Sequence, residues 1–295
     1  MIKKRYILVT GSEGFIGRHL VKALKSRGAS IYRVDKRIGI DVSKSSFVKK
    51  FANKKIGIIF HLGMLIRLPK NGNNEDIIYE NNIKGMINIL KLCRLTGAKL
   101  VFISSYVYGK PEYLPIDELH PVKPHNVYAK SKLESEALCR VYHDSFGVKV
   151  VILRPFNVYG PGQSGDFVIP AILKKIRHSN SINLNGKNDK RDFLYIDDMI
   201  RACIRAGLYN KNGFDVFNIG SGKSYSINEI LSMLGKQKGA KIKASYCNSS
   251  PNRGVSDTRA DIRKAKQFLK WHPRISIEKG LSKILKHTSN CHYRA

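Results

Sequence analysis

The chain is expected to fold as an α/β protein around a doubly wound parallel sheet, with a smaller α/β part interleaved toward its C-terminal side. Three observations carry that expectation. Two runs, Ile56 to Leu62 (IGIIFHL) and Val148 to Leu153, are apolar almost throughout, as strands buried on both faces of a parallel sheet are. Such strands alternate with amphipathic helices through the first half, the pattern of doubly wound folds. Three helices also end in a glycine just before a β-rich run, at Gly28, Gly97 and Gly147.

Taken in order, Tyr6 to Thr10 is a short apolar strand. Phe15 to Arg27 is a helix, because Ile16, Leu20, Val21 and Leu24 fall on one stripe and Gly28 stops it. Ile31 to Val34 is the second strand, Ser43 to Asn53 a short basic helix, and Ile56 to Leu62 the third strand. Tyr79 to Thr96 is a long helix, Leu100 to Ser104 a strand, Asn126 to Phe146 a helix, and Val148 to Leu153 a further strand. After Pro155 the pattern loosens. Glycine, proline and asparagine cluster in Asn157 to Gly165 and Asn183 to Asp189, which read as loops. Helices are expected over Phe167–His178, Asp197–Tyr209, Ser226–Lys238 and Ala260–Lys270, with a last one from about Ile277 to Lys286. Residues 287–295 show no pattern, and the chain has no internal repeat or low-complexity linker.

With 295 residues, 42% of them hydrophobic, the chain can bury a sizeable core as one large domain or two coupled ones. No apolar run approaches the ~20 residues of a membrane span. The apolar run behind the basic start is too short for a secretory signal, so a cytoplasmic location is expected. The five cysteines (Cys93, Cys139, Cys203, Cys247, Cys291) are odd in number and scattered. They give no disulfide framework, and no close pair points to a metal. The net charge of +31 fits a nucleic-acid binder, an enzyme that attracts anionic small molecules, or lysine-rich solvated faces. The positive residues are spread along the whole chain. That disfavours a nucleic-acid arm and favours a charged surface that also draws in phosphates.

The first strand runs into Gly11-Ser12-Glu13-Gly14-Phe15-Ile16-Gly17, a Gly-x-x-Gly-x-x-Gly run with a helix behind it. Gly11 permits the tight turn, Gly14 lets backbone approach a pyrophosphate, and Gly17 lets helix and strand pack closely. The helix start adds amide donors and positive dipole. Asp35 ends the second strand, 18 residues past Gly17, near the spacing for an acid that holds an adenosine ribose. Its carboxylate should repel a 2′-phosphate and so favour NAD over NADP, although Lys36 and Arg37 follow directly and leave NADP open. Farther on, Tyr128 and Lys132 stand four residues apart at the front of a helix, which puts them on one face. A phenol beside an ammonium is easier to deprotonate, so the pair can serve as acid and base.

With these features in place, the chain resembles the extended short-chain dehydrogenase/reductase family. More narrowly, it is similar to its NAD-dependent nucleotide-sugar epimerase/dehydratase group, which includes the UDP-glucose 4-epimerase-like proteins. The likeness covers about residues 5 to 287. Asp41-Val42 sits where such proteins cap the adenine. Phe60-His61-Leu62-Gly63 resembles the His-Leu-Ala-Ala run, with Gly63 and Met64 replacing its two alanines. Asn82-Ile83-Lys84-Gly85 and the Val101 to Gly109 run (VFISSYVYG) match in turn, as do Arg154 to Pro161, Arg191 to Asp198 and Phe217 to Gly222.

The resemblance implies a Rossmann sheet formed by residues 1–160 plus about 190–222. A substrate-binding part would cover about 161–189 and 223–290, with 288–295 as a tail. It implies Ser104 as the catalytic hydroxyl, Tyr128 as acid/base, and Lys132 on the nicotinamide ribose. Asn82 would support them, with Leu62 and Gly63 beside the cofactor. Asn157 and Arg191 would meet the sugar and diphosphate of the substrate. Ser105 competes with Ser104, but register against Val107-Tyr108-Gly109 favours Ser104. Arg253 is a second candidate for the diphosphate, although Val255 stands where the family usually has an aspartate. A homodimer is implied through a four-helix contact that includes the Tyr79–Thr96 and Asn126–Phe146 helices.

Sugar dehydratases of this group carry Asp-Glu after the catalytic hydroxyl, and the decarboxylases carry a glutamate. This chain has Ser105-Tyr106, which disfavours both reactions. A 4-epimerase working through a transient 4-keto sugar is preferred. The alternative is an NAD(P)-dependent reductase or dehydrogenase of a nucleotide-linked 4-keto or 6-deoxy sugar. A non-catalytic nucleic-acid-binding protein on the same scaffold is a third reading. It would have no need of the Ser104, Tyr128 and Lys132 set.

Overall fold

A computed structural model describes residues 6–66, 76–179, 181–185, 189–211, 213–247 and 257–290. The first half follows the expected alternation: β1 (Tyr6–Thr10), α1 (Phe15–Lys25), β2 (Ile31–Val34), α2 (Ser45–Phe51), β3 (Ile56–His61), α3 (Asp76–Thr96), β4 (Lys99–Ile103), α4 (Val127–Phe146) and β5 (Val150–Pro155). The second half adds β6 (Asn157–Tyr159), α5 (Val168–His178), β7 (Ser181–Asn185), β8 (Lys190–Tyr195), α6 (Ile196–Leu208) and β9 (Phe214–Ile219). It closes with β10 (Ser224–Ser226), α7 (Ile227–Lys238), β11 (Lys243–Cys247), β12 (Asp257–Thr258), α8 (Arg263–Phe268) and α9 (Ile277–Asn290).

Six strands form one parallel sheet in the order β2-β1-β3-β4-β5-β9. Their continuous apolar character has a direct cause, since alternate residues feed two separate cores. Ile7, Val9, Val101, Ile103, Val151 and Leu153 enter one, beneath α1 and α6. Leu8, Leu100, Phe102, Val150 and Ile152 enter the other, beneath α2, α3 and α4. Each such side chain, fully buried, contributes about 1.5–3 kcal/mol. The chain leaves β1 toward β2 on one side and returns to β3 on the other. The carboxyl ends of β1 and β3 therefore flank a topological switch point, where open α/β sheets bind ligands.

Several expectations shift. The strand expected to reach Ser104 ends at Ile103, and the helix expected from Tyr79 starts at Asp76. The helix expected over Ala260–Lys270 is only Arg263–Phe268, and the last helix runs on to Asn290. Two segments read as loops contain strands, β6 and β7. β6 has three residues, too few to show a period, and is held by parallel pairing with β8. β8 also pairs with β10 and β12, and β7 pairs with β11, which gives two small sheets beside the main one. No described helix is long and apolar enough to cross a membrane.

Candidate active site

A cavity of about 780 Å³ opens along the carboxyl ends of β1, β3, β4 and β5. Its floor at one end is the glycine run. Gly11 has a φ of +63°, and a side chain there would meet Gly63 N at 2.8 Å. A Cβ on Gly17 would lie 1.9 Å from the Gly11 carbonyl oxygen, so only glycine lets α1 seat against that turn. The opposite wall is fixed by Thr10. Its hydroxyl accepts the amides of Leu62 (3.1 Å) and Gly63 (2.9 Å) and shares a hydrogen bond with His61 Nδ1 at 2.8 Å. Burial pushes His61 down to about 3, so it stays neutral and structural. α1 begins after Gly14 with no side-chain cap and no acid in its first turn, which leaves its leading amides free to meet an anion.

The carboxylates on the cavity wall gather at this end. Asp35 accepts the amides of Glu13 (3.1 Å) and Arg37 (3.0 Å) and the Arg37 guanidinium at 3.1 Å. Burial acts to raise its pKa, but these donors together hold it below the usual carboxylate range. Glu13 pairs with Arg33, and Lys36 with Asp41 at 3.2 Å. The Asp41-Val42 turn is anchored from α3, where Asn88 donates to the Val42 carbonyl at 2.8 Å. Phe15, Ile16, Asp41 and Val42 all border the cavity, as expected of them.

At the far end stand the residues of α4. Asn126 caps the helix, its side chain accepting the Ala129 amide at 2.7 Å, and so fixes where Tyr128 projects. Asn82 ties this helix to the opposite wall. It donates to Ser131 Oγ at 2.9 Å and exchanges hydrogen bonds with the Leu65 amide and carbonyl. Lys132 is buried, donates to the Ile103 carbonyl at 2.6 Å, and lies 5.6 Å from the centre of the Tyr128 ring. Burial lowers Lys132 to about 7, with Glu136 opposing, and raises the Tyr128 phenol to about 12, with a hydrogen bond from Ser105 opposing. Within the protein alone, burial therefore outweighs the expected help from Lys132.

The two serines have different partners. Ser104 N still donates to the Leu153 carbonyl at 2.8 Å, so the residue continues the pleat of β4 on the Phe102 face, toward α4. Its hydroxyl donates to Glu136 Oε1 at 2.5 Å, and the residue is 2% exposed. A hydrogen bond from Ser105 is what opposes the effect of burial on the Tyr128 phenol. Ser104, the hydroxyl expected to be catalytic, and Ser105 both border the cavity at this end.

Asn157 borders the cavity and donates to the Asp192 carbonyl at 3.2 Å. Arg191 does not line the cavity. It pairs with Asp189 at 3.0 Å, near the Tyr106 phenol. Arg253 lies outside the described residues. Sequence reasoning missed Tyr106, Phe156 and Phe193 as cavity walls, and it missed Glu136. Glu136 had a signal, since it continues the Tyr128, Lys132 spacing by a further four residues.

The model of the NAD dependent epimerase/dehydratase family matches residues 7–220. The chain belongs to this family. A putative UDP-glucose 4-epimerase of Methanocaldococcus jannaschii is 31% identical over 96% of this chain and 98% of its own length. A UDP-glucuronate 4-epimerase of Thermodesulfobacterium geofontis is 31% identical over 95% of each. Among solved structures, the UDP-glucuronic acid 4-epimerase of Bacillus cereus, in complex with UDP-glucuronic acid and NAD, superposes with a TM-score of 0.85 at 30% identity. That match covers 96% of this chain and 99% of the other. The six-stranded parallel sheet with helices on both faces is the shared frame.

Proposed function

We propose that the chain is an NAD-dependent 4-epimerase of a UDP-sugar, with Tyr128 as acid/base, Ser105 as the hydroxyl that hydrogen-bonds the reacting oxygen, and Lys132 as the cation that assists them. One observation carries the reading: Ser105, Tyr128 and Lys132 meet at one end of a cavity whose other end is the glycine cradle. The cradle fits NAD. Side chains at Gly11 and Gly17 would close it, the first-turn amides of α1 suit a pyrophosphate, and the Asp35 carboxylate suits a ribose.

When bound, NAD supplies the hydride acceptor and donor. The chain supplies the rest. Tyr128 takes the proton from the sugar 4-hydroxyl and returns it to the ketone oxygen once the sugar has turned its other face to the returning hydride. Ser105 orients that oxygen. Lys132 favours the phenolate while it is protonated, because an adjacent positive charge stabilises the charged form. The carboxylates bordering the cavity among the described residues, Glu13, Asp35 and Asp41, all lie at the glycine end. At the sugar end, Tyr106 packs edge-on against Phe156 and donates to the Gly109 carbonyl at 2.7 Å. Among the described residues that wall offers no second acid of the kind elimination of water requires, which supports epimerisation over dehydration.

A second reading keeps one observation of its own. Lys36 and Arg37 directly follow Asp35, and Arg37 spans its carboxylate, which favours an NADP-tolerant reductase or dehydrogenase of a 4-keto or 6-deoxy sugar. We extend the epimerase reading to a homodimer through α3 and α4, where Leu95 and Val141 are 62% and 53% exposed. The test is incubation of purified protein with UDP-glucose, UDP-glucuronic acid and UDP-N-acetylglucosamine without added cofactor. The epimer should form with no net change at the NADH band. Turnover that requires NADPH and a 4-keto sugar would favour the reductase.

A further inference from the structure

Behind Tyr128, α4 carries two more polar groups at helical spacing, Lys132 and Glu136. Both are buried, at 2% and 5% exposure. Two consecutive residues at the end of β4 hold them. The Ile103 carbonyl accepts Lys132 Nζ at 2.6 Å, and Ser104 Oγ donates to Glu136 Oε1 at 2.5 Å. From β5, Arg154 meets the same carboxylate with Nη2 at 2.6 Å and Nε at 3.1 Å. Arg154 in turn donates to the Tyr108 hydroxyl at 3.0 Å, which donates to Asn218 Oδ1 at 2.6 Å on β9. Glu136 is thus fixed by β4 and β5.

The charged and titratable groups around Lys132 are few. α4 contributes Tyr128 and Glu136, β3 contributes neutral His61, and β4 contributes the Phe102 ring at 4.8 Å. Glu136 is the carboxylate that favours a charged Lys132 against its burial. A purely structural need would not explain the ion pair, because buried pairs are often replaced by apolar residues with little loss of stability.

We propose that Glu136 is a positioning residue for the acid/base pair: its carboxylate, locked by Ser104 and Arg154, keeps Lys132 cationic and so sets the pH range over which Tyr128 exchanges its proton. The proposal rests on the roles given to Tyr128 and Lys132 above. Loss of the carboxylate moves the two groups in opposite directions. Lys132 gives up its proton at lower pH, and Tyr128, left without a cation, gives up its proton at higher pH. The share of protein that holds phenolate beside ammonium, the form that can accept the sugar proton, then falls.

The experiment compares NAD-loaded wild type with the double variant Glu136→Gln/Arg154→Met, which removes both charges and leaves no buried arginine without its partner. The first readout is the pH profile of UDP-sugar turnover. The second is absorbance titration at the tyrosinate band, each protein read against the same background carrying Tyr128→Phe. The double variant should show the Tyr128 midpoint raised by about one pH unit or more. Its turnover at neutral pH should fall with it. Glu136→Asp, which keeps the charge, should restore both toward wild type. If the double variant shows no cooperative melting transition, Glu136→Gln and Glu136→Asp are compared in its place. A lowered rate with the shape of the pH profile and the tyrosinate midpoint unmoved overturns the proposal. The absorbance arm needs no turnover. A wild type inactive on UDP-sugars would therefore sink the epimerase reading while this arm still decides the role of Glu136.

Discussion

The two ends of the cavity are built in different ways. The glycine end comes from short, nearly consecutive stretches around residues 10–17, 34–43 and 61–65, and it is shaped mainly by backbone. The sugar end gathers Ser105, Tyr106, Tyr128, Phe156, Asn157 and Phe193 from four separate segments, and it is shaped by side chains. Its supporting strands are tied by Asp192, whose buried carboxylate accepts the amides of Ser221 (2.6 Å), Gly222 (2.9 Å) and Ala260 (3.1 Å). The first end should therefore fail by steric intrusion, and the second by loss of single polar contacts.

Gly17→Ala gives the largest expected effect. Its methyl would strike the Gly11 carbonyl, so NAD affinity measured by calorimetry should fall by more than about a hundredfold, near 3 kcal/mol. Retained affinity would show that the cradle relaxes. Tyr128→Phe comes next. Turnover should drop by roughly 10²–10⁴-fold, the usual value of a general acid/base, while NAD binding stays close to wild type. Asp192→Ala leaves several buried amides without an acceptor. It should lower the unfolding free energy in urea by about 3 kcal/mol, and a loss below about 1 kcal/mol would show that the clip is dispensable. Arg191→Ala is expected to be mild, because the residue pairs with Asp189 outside the cavity wall. KM for the sugar nucleotide should rise by less than about tenfold, or 1.4 kcal/mol. A much larger rise would put Arg191 on the substrate. Val141→Glu tests the α3/α4 contact, since light scattering should then report monomer in place of dimer.

The same contrast explains what was legible in the sequence. The glycine spacing, Asp35 and the Tyr128, Lys132 pair each encode geometry within one turn or one strand-turn-helix unit, so spacing is enough to single them out as candidates. β6 and β7 escaped because such short strands take their pairing from distant segments, and β8, though six residues long, also pairs only with distant strands. The sheet order around β9 likewise depends on a strand far along the chain. The choice between Ser104 and Ser105 is hard to read from sequence for a third reason. Counting back from Val107-Tyr108-Gly109 assumes a fixed turn length, whereas the direction of each hydroxyl follows from where β4 ends and from the carboxylate waiting on α4. Glu136 was visible as a continuation of the Tyr128, Lys132 spacing, but only its buried partners show what that spacing does.

The most direct test of the account compares the two adjacent serines. Ser104→Ala and Ser105→Ala are assayed for kcat on the UDP-sugar that the wild type epimerises, with NAD bound in both. Ser105→Ala should lose roughly 10²-fold, while Ser104→Ala, which loosens Glu136 but removes nothing from the reacting oxygen, should lose less than about tenfold. The reverse order would return the catalytic hydroxyl to Ser104 and contradict the division of the strand end described here.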